Sequence, residues 1–208
     1  MHTDRGHTLF KKPVGDDGRL LLEEMNRHHR KLSEWALSKL PMKECERILD
    51  IGCGGGMLIS LLDERFADAE IYGIDISEES VNMAKNVNSG IVREGRCHIT
   101  LDSVSDIPFE DGSFDLVTAF ETYFFWPDLY NDLKEATSKV KKGGHMVIVS
   151  ETYPHPKFKE RNDEAVRLYG LNLVDNDLMT EMLEGFGMDV TVSTDEDKNW
   201  VAFVGKKK

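Results

Sequence analysis

Nine consecutive residues constrain this chain more than any others: Ile48-Leu49-Asp50-Ile51-Gly52-Cys53-Gly54-Gly55-Gly56. An apolar strand-like run holds an acid and then breaks into glycines at 52, 54 and 56, and the apolar stretch Met57 to Phe66 that follows suits a helix. A second run, Glu70-Ile71-Tyr72-Gly73-Ile74-Asp75, also ends in an acid. Strand, tight glycine turn, helix, then a strand closing on a carboxylate: this order marks a nucleoside-cofactor site at the carboxyl ends of two adjacent parallel strands.

The glycine spacing narrows the reading. It is D-x-G-x-G-x-G, whereas the dinucleotide pattern G-x-G-x-x-G counted from Gly52 requires glycine where Met57 stands. The second acid has a clear physical use, because one carboxylate accepts two hydroxyl hydrogen bonds side by side.

Charge removes other function classes. The 208-residue chain carries 26 basic and 38 acidic residues, a net charge of −12. Nucleic-acid binding needs a basic surface, so a small or neutral substrate suits this chain better. Lys206-Lys207-Lys208 is too short to alter that, and reads as a solvated tail. Cys45, Cys53 and Cys97 show neither C-x-x-C spacing nor paired histidines, so no zinc site and no disulfide framework is expected. Residues 1–18 lack the apolar centre of a signal peptide, and no apolar run approaches the roughly 20 residues that span a bilayer. The expected location is the cytoplasm.

Periodicity organises the rest into one domain. Residues 1–18 read as a mobile arm or lid. Leu21, Met25, His28, Leu32 and Trp35 share one face of a helix predicted over 20–40 and stopped by Pro41. Strands are predicted at 47–51, 70–74, 97–101, 114–120 and 145–150. The intervening helices span 55–66, 77–88 (capped by Ser77) and 127–140, the last ended by Lys141-Lys142-Gly143-Gly144. Two further helices, 157–169 and 175–185, precede an antiparallel pair at 189–193 and 200–204. Alternating β and α units imply a mostly parallel sheet with helices on both faces.

The glycine motif resembles motif I of the class I S-adenosylmethionine-dependent methyltransferases. The stretch Asp106-Ile107-Pro108-Phe109-Glu110-Asp111-Gly112-Ser113-Phe114-Asp115-Leu116-Val117 is similar to one in the branch that resembles ubiquinone/menaquinone-biosynthesis methyltransferases. The Lys141-Lys142-Gly143-Gly144 turn and the late Asp177–Phe186 helix extend the likeness to roughly residues 45–205. The resemblance implies a Rossmann-like, doubly wound α/β fold with a seven-stranded, mostly parallel sheet and an antiparallel last strand. It also implies a covering arm and helix over 1–40 and a cofactor domain over 41–208. The implied cofactor is S-adenosyl-L-methionine, held by Gly52, Cys53, Gly54 and Gly56, with Asp50 beneath the loop, Asp75 on the ribose, and Ile76 and Phe120 beside it. The family's usual acid near the adenine is replaced by Ser103, with Asp102 one residue earlier; Ser103 and Val104 are favoured as the readers.

Methyl transfer from a sulfonium is an in-line displacement, so the protein must mainly align the reactants and exclude water. Phe120-Glu121-Thr122-Tyr123-Phe124-Phe125-Trp126 follows the fourth strand, where ligands bind. Glu121, Tyr123 and His28 are the catalytic candidates. Tyr123 and Trp126 are preferred to Phe124 and Phe125 as pocket residues because they carry polar handles. Glu151, Thr152 and Tyr153 are placed at the pocket mouth, His145 in the scaffold, and His155 in a rigid loop. The expected activity is methyl transfer to a small molecule. The alternatives are a nicotinamide-dependent oxidoreductase or a non-catalytic cofactor-binding protein on the same fold.

Overall fold

The computed structural model describes residues 9–208. Two helices, α1 (Gly15–His28) and α2 (Arg30–Leu37), lead into an alternating run. This comprises β1 (Arg47–Ile51), α3 (Met57–Arg65), β2 (Glu70–Asp75), α4 (Glu78–Val87), the short α5 (Ser89–Arg93), β3 (Cys97–Leu101) and β4 (Phe114–Phe120). After it come α6 (Leu129–Ser138), β5 (Val140–Ser150), α7 (Lys159–Tyr169), α8 (Asn176–Gly185), β6 (Met188–Asp195) and β7 (Trp200–Lys207). One seven-stranded sheet has the order β3-β2-β1-β4-β5-β7-β6. The first five strands pair in parallel, and β7 runs antiparallel to both β5 and β6.

Strand order reverses between β1 and β4, and a reversal opens a crevice beyond the carboxyl ends of those strands. The sheet is apolar on both faces because both are covered. Ile48 and Leu116 join a core with α2, α3 and α4, while Leu49, Ile51 and Val117 join a second core with α6 and α8. Caps fix several helix starts: the Ser77 hydroxyl accepts from Ser80 N, Asp128 from Asn131 N, and Asp175 from Leu178 N.

Three elements differ from the sequence expectation. The helix over 20–40 is broken at His29, which ends α1 and precedes α2. The Lys141–Gly144 stretch is a bulged start of β5, not a helix stop outside it, and the pairing register shifts between Phe114 and Leu116 to absorb it. Asp115 anchors this region, accepting from Arg47 N at 2.8 Å and from Lys141 Nζ at 2.8 Å. The terminal lysines are not a free tail either. Lys206 and Lys207 lie in β7, and Lys207 Nζ donates to Phe186 O at 2.8 Å.

The mobile-arm expectation lies in part on residues 1–8, outside the described residues. Residues 9–18 pack onto the domain: the Phe10 ring meets Tyr169 at 4.3 Å, and the Ser77 hydroxyl donates to Pro13 O at 2.5 Å.

Candidate cofactor and acceptor site

Three adjacent cavities occupy the crevice, of about 200, 70 and 480 Å³, and Met25 and Glu121 border all three. The first runs across the carboxyl ends of β1 and β2 and is lined by Gly52, Gly54, Asp75, Ile76, Asp102, Ser103 and Val104. The second lies under α1 and is lined by Asp50, Cys53, Gly55, Phe120 and Asn26. The third lies between α1 and α7 and is lined by His28, His29, Phe124, Phe125, Glu151 and Arg161.

Backbone geometry builds the first two. Gly52, Gly54 and Gly56 have φ of +70°, +52° and +82°, a region that L side chains avoid. A Cβ on Gly52 would lie 2.3 Å from Thr122 Oγ1, so β1 and the loop after β4 close tightly there. A Cβ on Gly54 would meet nothing nearer than 4.0 Å, which leaves that edge open to a ligand. Gly56 plays a different part from its sequence assignment. It borders none of the three cavities, and its missing side chain admits Ala84 and Asn88 of the neighbouring helical segment.

Asp75 is tied to the loop it faces. Its Oδ2 accepts from Gly54 N and its Oδ1 from Ser77 N, both at 2.9 Å. Burial raises its carboxyl above the ordinary range, and the two amide bonds oppose that rise. Asp50 is fully buried. Its Oδ1 accepts from Thr118 Oγ1 at 2.7 Å, while its Oδ2 has no partner among the described residues. Burial pushes this carboxyl up to about 7. An unpartnered buried oxygen carries a standing desolvation cost that a cationic donor in the second cavity relieves.

The third cavity draws its polar groups from four separate segments. Glu121 holds a left-handed backbone at φ 56°, unusual for a non-glycine residue, and its Oε1 accepts from Glu151 N at 2.5 Å. Burial pushes its carboxyl up to about 7, and the charge of Glu151 adds to the rise against the pull of His29. Burial also works to raise Glu151, but hydrogen bonds and charges from His29 and His28 outweigh it and hold that carboxyl below its usual range. Burial would lower His29, yet Glu151 and Glu121 together raise it.

Of the catalytic candidates, Glu121 and His28 border the third cavity and Tyr123 does not. Tyr123 is 1% exposed and packs in the core with Phe124 and Leu133. Its polar handle turns inward to Ser150, so the argument from polar handles fails here. Phe124 and Phe125, the two with no handle, line the third cavity, and Trp126 lines the first. Glu151 and Thr152 reach the mouth as expected. Tyr153 is buried away from it, its carbonyl accepting from Asn162 and Asn199. His155 caps the turn at Pro156–Phe158. Residues not singled out in the sequence also reach the site. Asn26 Nδ2 donates to Gly55 O at 3.0 Å, and Arg161 donates to Glu151 O at 2.9 Å.

Residues 49–148 match the family model described as a methyltransferase domain. The chain is 29% identical over 160 residues to 27-O-demethylrifamycin SV methyltransferase of Amycolatopsis mediterranei, covering 76% of this chain and 57% of that protein. It is 34% identical over 114 residues to a ubiquinone biosynthesis O-methyltransferase of Marinobacter nauticus, covering 54% of this chain and 46% of that one. The chain thus spans about half the length of these relatives. Among solved structures, Haemonchus contortus phosphoethanolamine N-methyltransferase 2 in complex with S-adenosyl-L-methionine has the same fold. The TM-score is 0.79 at 18% identity, over 96% of this chain and 59% of that one.

Proposed function

We propose, from the match of residues 49–148 to the methyltransferase-domain family model, that the chain moves a methyl group from S-adenosyl-L-methionine to a small molecule. The observation that carries this reading is the meeting of three cavities at Glu121. The nucleoside fits the first cavity, with Asp75 on the ribose and Ser103 and Val104 beside the base. The amino-acid end fits the second, where the unpartnered Asp50 Oδ2 suits an ammonium group. The methyl-bearing sulfur then falls beside Glu121, at the wall shared with the third cavity, where the acceptor sits among Phe124, Phe125 and Tyr169.

The cofactor supplies a reactive methyl on a good leaving group. The protein supplies alignment and a dry cavity. Glu121 takes the acceptor proton where the acceptor carries one, since a carboxylate poised near neutrality matches that task. His28 and His29 both reach Glu151 from the α1–α2 break at the wall of the cavity. In this reading residues 1–40 are the cover and 41–208 the cofactor domain, with Phe10, Lys11 and Pro13 closing one side of the nucleoside cavity. No helix among the described residues is long and apolar enough to cross a membrane. With a net charge of −12, a cytoplasmic enzyme without a nucleic-acid partner is the natural assignment.

A radiolabelled-methyl assay against pooled small acceptors tests the reading. Label transferred to an acceptor, with stoichiometric S-adenosylhomocysteine, is the expected result. Methylthioadenosine as the sole cofactor product, across pools rich in oxygen, nitrogen, sulfur and carbon nucleophiles, would leave only cofactor decay.

A further inference from the structure

We propose that His28, His29 and Glu151 form a divalent transition-metal site at the mouth of the third cavity. Their ligand atoms all lie within 4.8 Å of one another. Glu151 Oε2 is 3.0 Å from His28 Nε2, and Glu151 Oε1 is 3.2 Å from the same nitrogen and 3.8 Å from His29 Nε2. Imidazole and carboxylate ligands bind such metals at about 2.0–2.2 Å, so neighbouring ligand atoms in one shell stand about 3.0–3.6 Å apart. The spacings from Glu151 to the two imidazoles bracket that range before any ion has drawn the groups together.

The local backbone makes the convergence possible. Successive residues of an α-helix point about 100° apart and do not face one target. The break at His29 interrupts α1 just after His28, and the two rings stand edge to face with centroids 5.2 Å apart. Both nitrogens therefore reach one carboxylate on the loop after β5. That loop is itself held: Glu151 N donates to Glu121, and Arg161 donates to Glu151 O. Two histidines and one carboxylate form a set that suits zinc or iron and leaves coordination positions open. His28, His29 and Glu151 all line the 480 Å³ cavity, so an ion held by them would stand at its wall.

A metal there takes acceptors bearing an oxygen or nitrogen donor that can lose a proton, such as a phenol or a vicinal diol, and lowers the pKa of that donor. This role rests on the methyl-transfer reading, whereas metal binding itself does not.

The test uses the full chain, stripped with a chelator and kept reduced. Zn²⁺ is titrated by calorimetry, and Co²⁺ by absorption, which separates imidazole and carboxylate ligation from thiolate ligation at Cys45, Cys53 or Cys97. The expected result is one equivalent per chain with no thiolate band. Losing a direct ligand should cost at least the roughly tenfold that losing an outer-shell partner costs, so His28→Gln and Glu151→Gln each weaken binding about tenfold or more. His28 is 63% exposed, so His28→Gln keeps the fold intact and the comparison valid. No Zn²⁺ binding, binding unchanged in both variants, or a thiolate signature would each overturn the site. A failure of methyl transfer in a chain that binds the metal normally would instead count against the proposed activity.

Discussion

The two ends of the crevice are built by different means. At the cofactor end, one nine-residue stretch and the close of β2 supply the glycine turn and the ribose-side acid, held together by Gly54 N and Ser77 N donating to Asp75. At the acceptor end, Glu121, Glu151, the His28–His29 pair and Arg161 come from four distant segments, and side-chain pairs between histidine and carboxylate join the backbone contacts. A backbone cradle constrains residue type at fixed spacing, because only glycine tolerates the turn. A side-chain cluster constrains only what meets in space. One end is therefore suited to a single shared cofactor, and the other to an acceptor that differs from protein to protein.

This contrast is open to attack at each end. Gly52→Ala should do the most damage. Its Cβ would stand 2.3 Å from Thr122 Oγ1 at φ +70°, and overpacking with backbone strain costs about 1–3 kcal/mol. Both stability and cofactor affinity should fall. Gly56→Ala should lose stability to a similar degree, since its Cβ would lie 2.7 Å from Ala84 Cα, but leave the affinity of the folded fraction unchanged. Denaturant melts with cofactor titration would separate the two, and equal affinity losses would dissolve the distinction.

Glu121→Gln comes next, and acts on the other end. Turnover should fall about 100-fold or more while cofactor affinity holds. In the wild type, turnover should rise with pH through about 7 as Glu121 ionises, and this limb should vanish in the variant. A pH profile that survives the substitution would move the base elsewhere.

Asp50→Asn should show a smaller and divided effect. The folded-state pKa of Asp50 is raised from 3.8 to about 7, so the folded chain holds a proton that the unfolded chain releases between those values. Its contribution to stability is full below about 4 and is lost as pH rises through 7. The variant should therefore gain stability relative to wild type at pH 8 and not at pH 4, while binding the cofactor less well. The smallest effect belongs to Tyr123→Phe: a stability loss of about 1 kcal/mol for one hydroxyl hydrogen bond, with the rate per folded enzyme unchanged. A large rate loss would return Tyr123 to the site.

How much was legible in the sequence follows the same divide. The strands of the parallel half were readable because local periodicity encodes them, while Asp75, Ser103 and Phe120 were pointed to by the glycine motif and the resemblance, and all three line the first two cavities. The seven-stranded mixed sheet with its antiparallel β7 followed from the alternation of elements and the resemblance. Asn26 and Arg161 were not readable as site residues, because their roles depend on how α1 and α7 pack across the crevice. Lys141–Gly144 misled for a related reason. A basic pair and two glycines look like a stop, but Asp115 and the bulge draw them into β5. Tyr123 misled because a hydroxyl can be satisfied in the core as well as in a pocket.

The most direct test of the central claim is calorimetric titration of S-adenosylmethionine and S-adenosylhomocysteine, with NAD as control, into wild type and Asp75→Ala. The account predicts micromolar binding of both sulfur nucleosides to wild type, none of NAD, and a marked loss in the variant. Absence of binding to wild type, or affinity unaffected by removal of the Asp75 carboxylate, would contradict it.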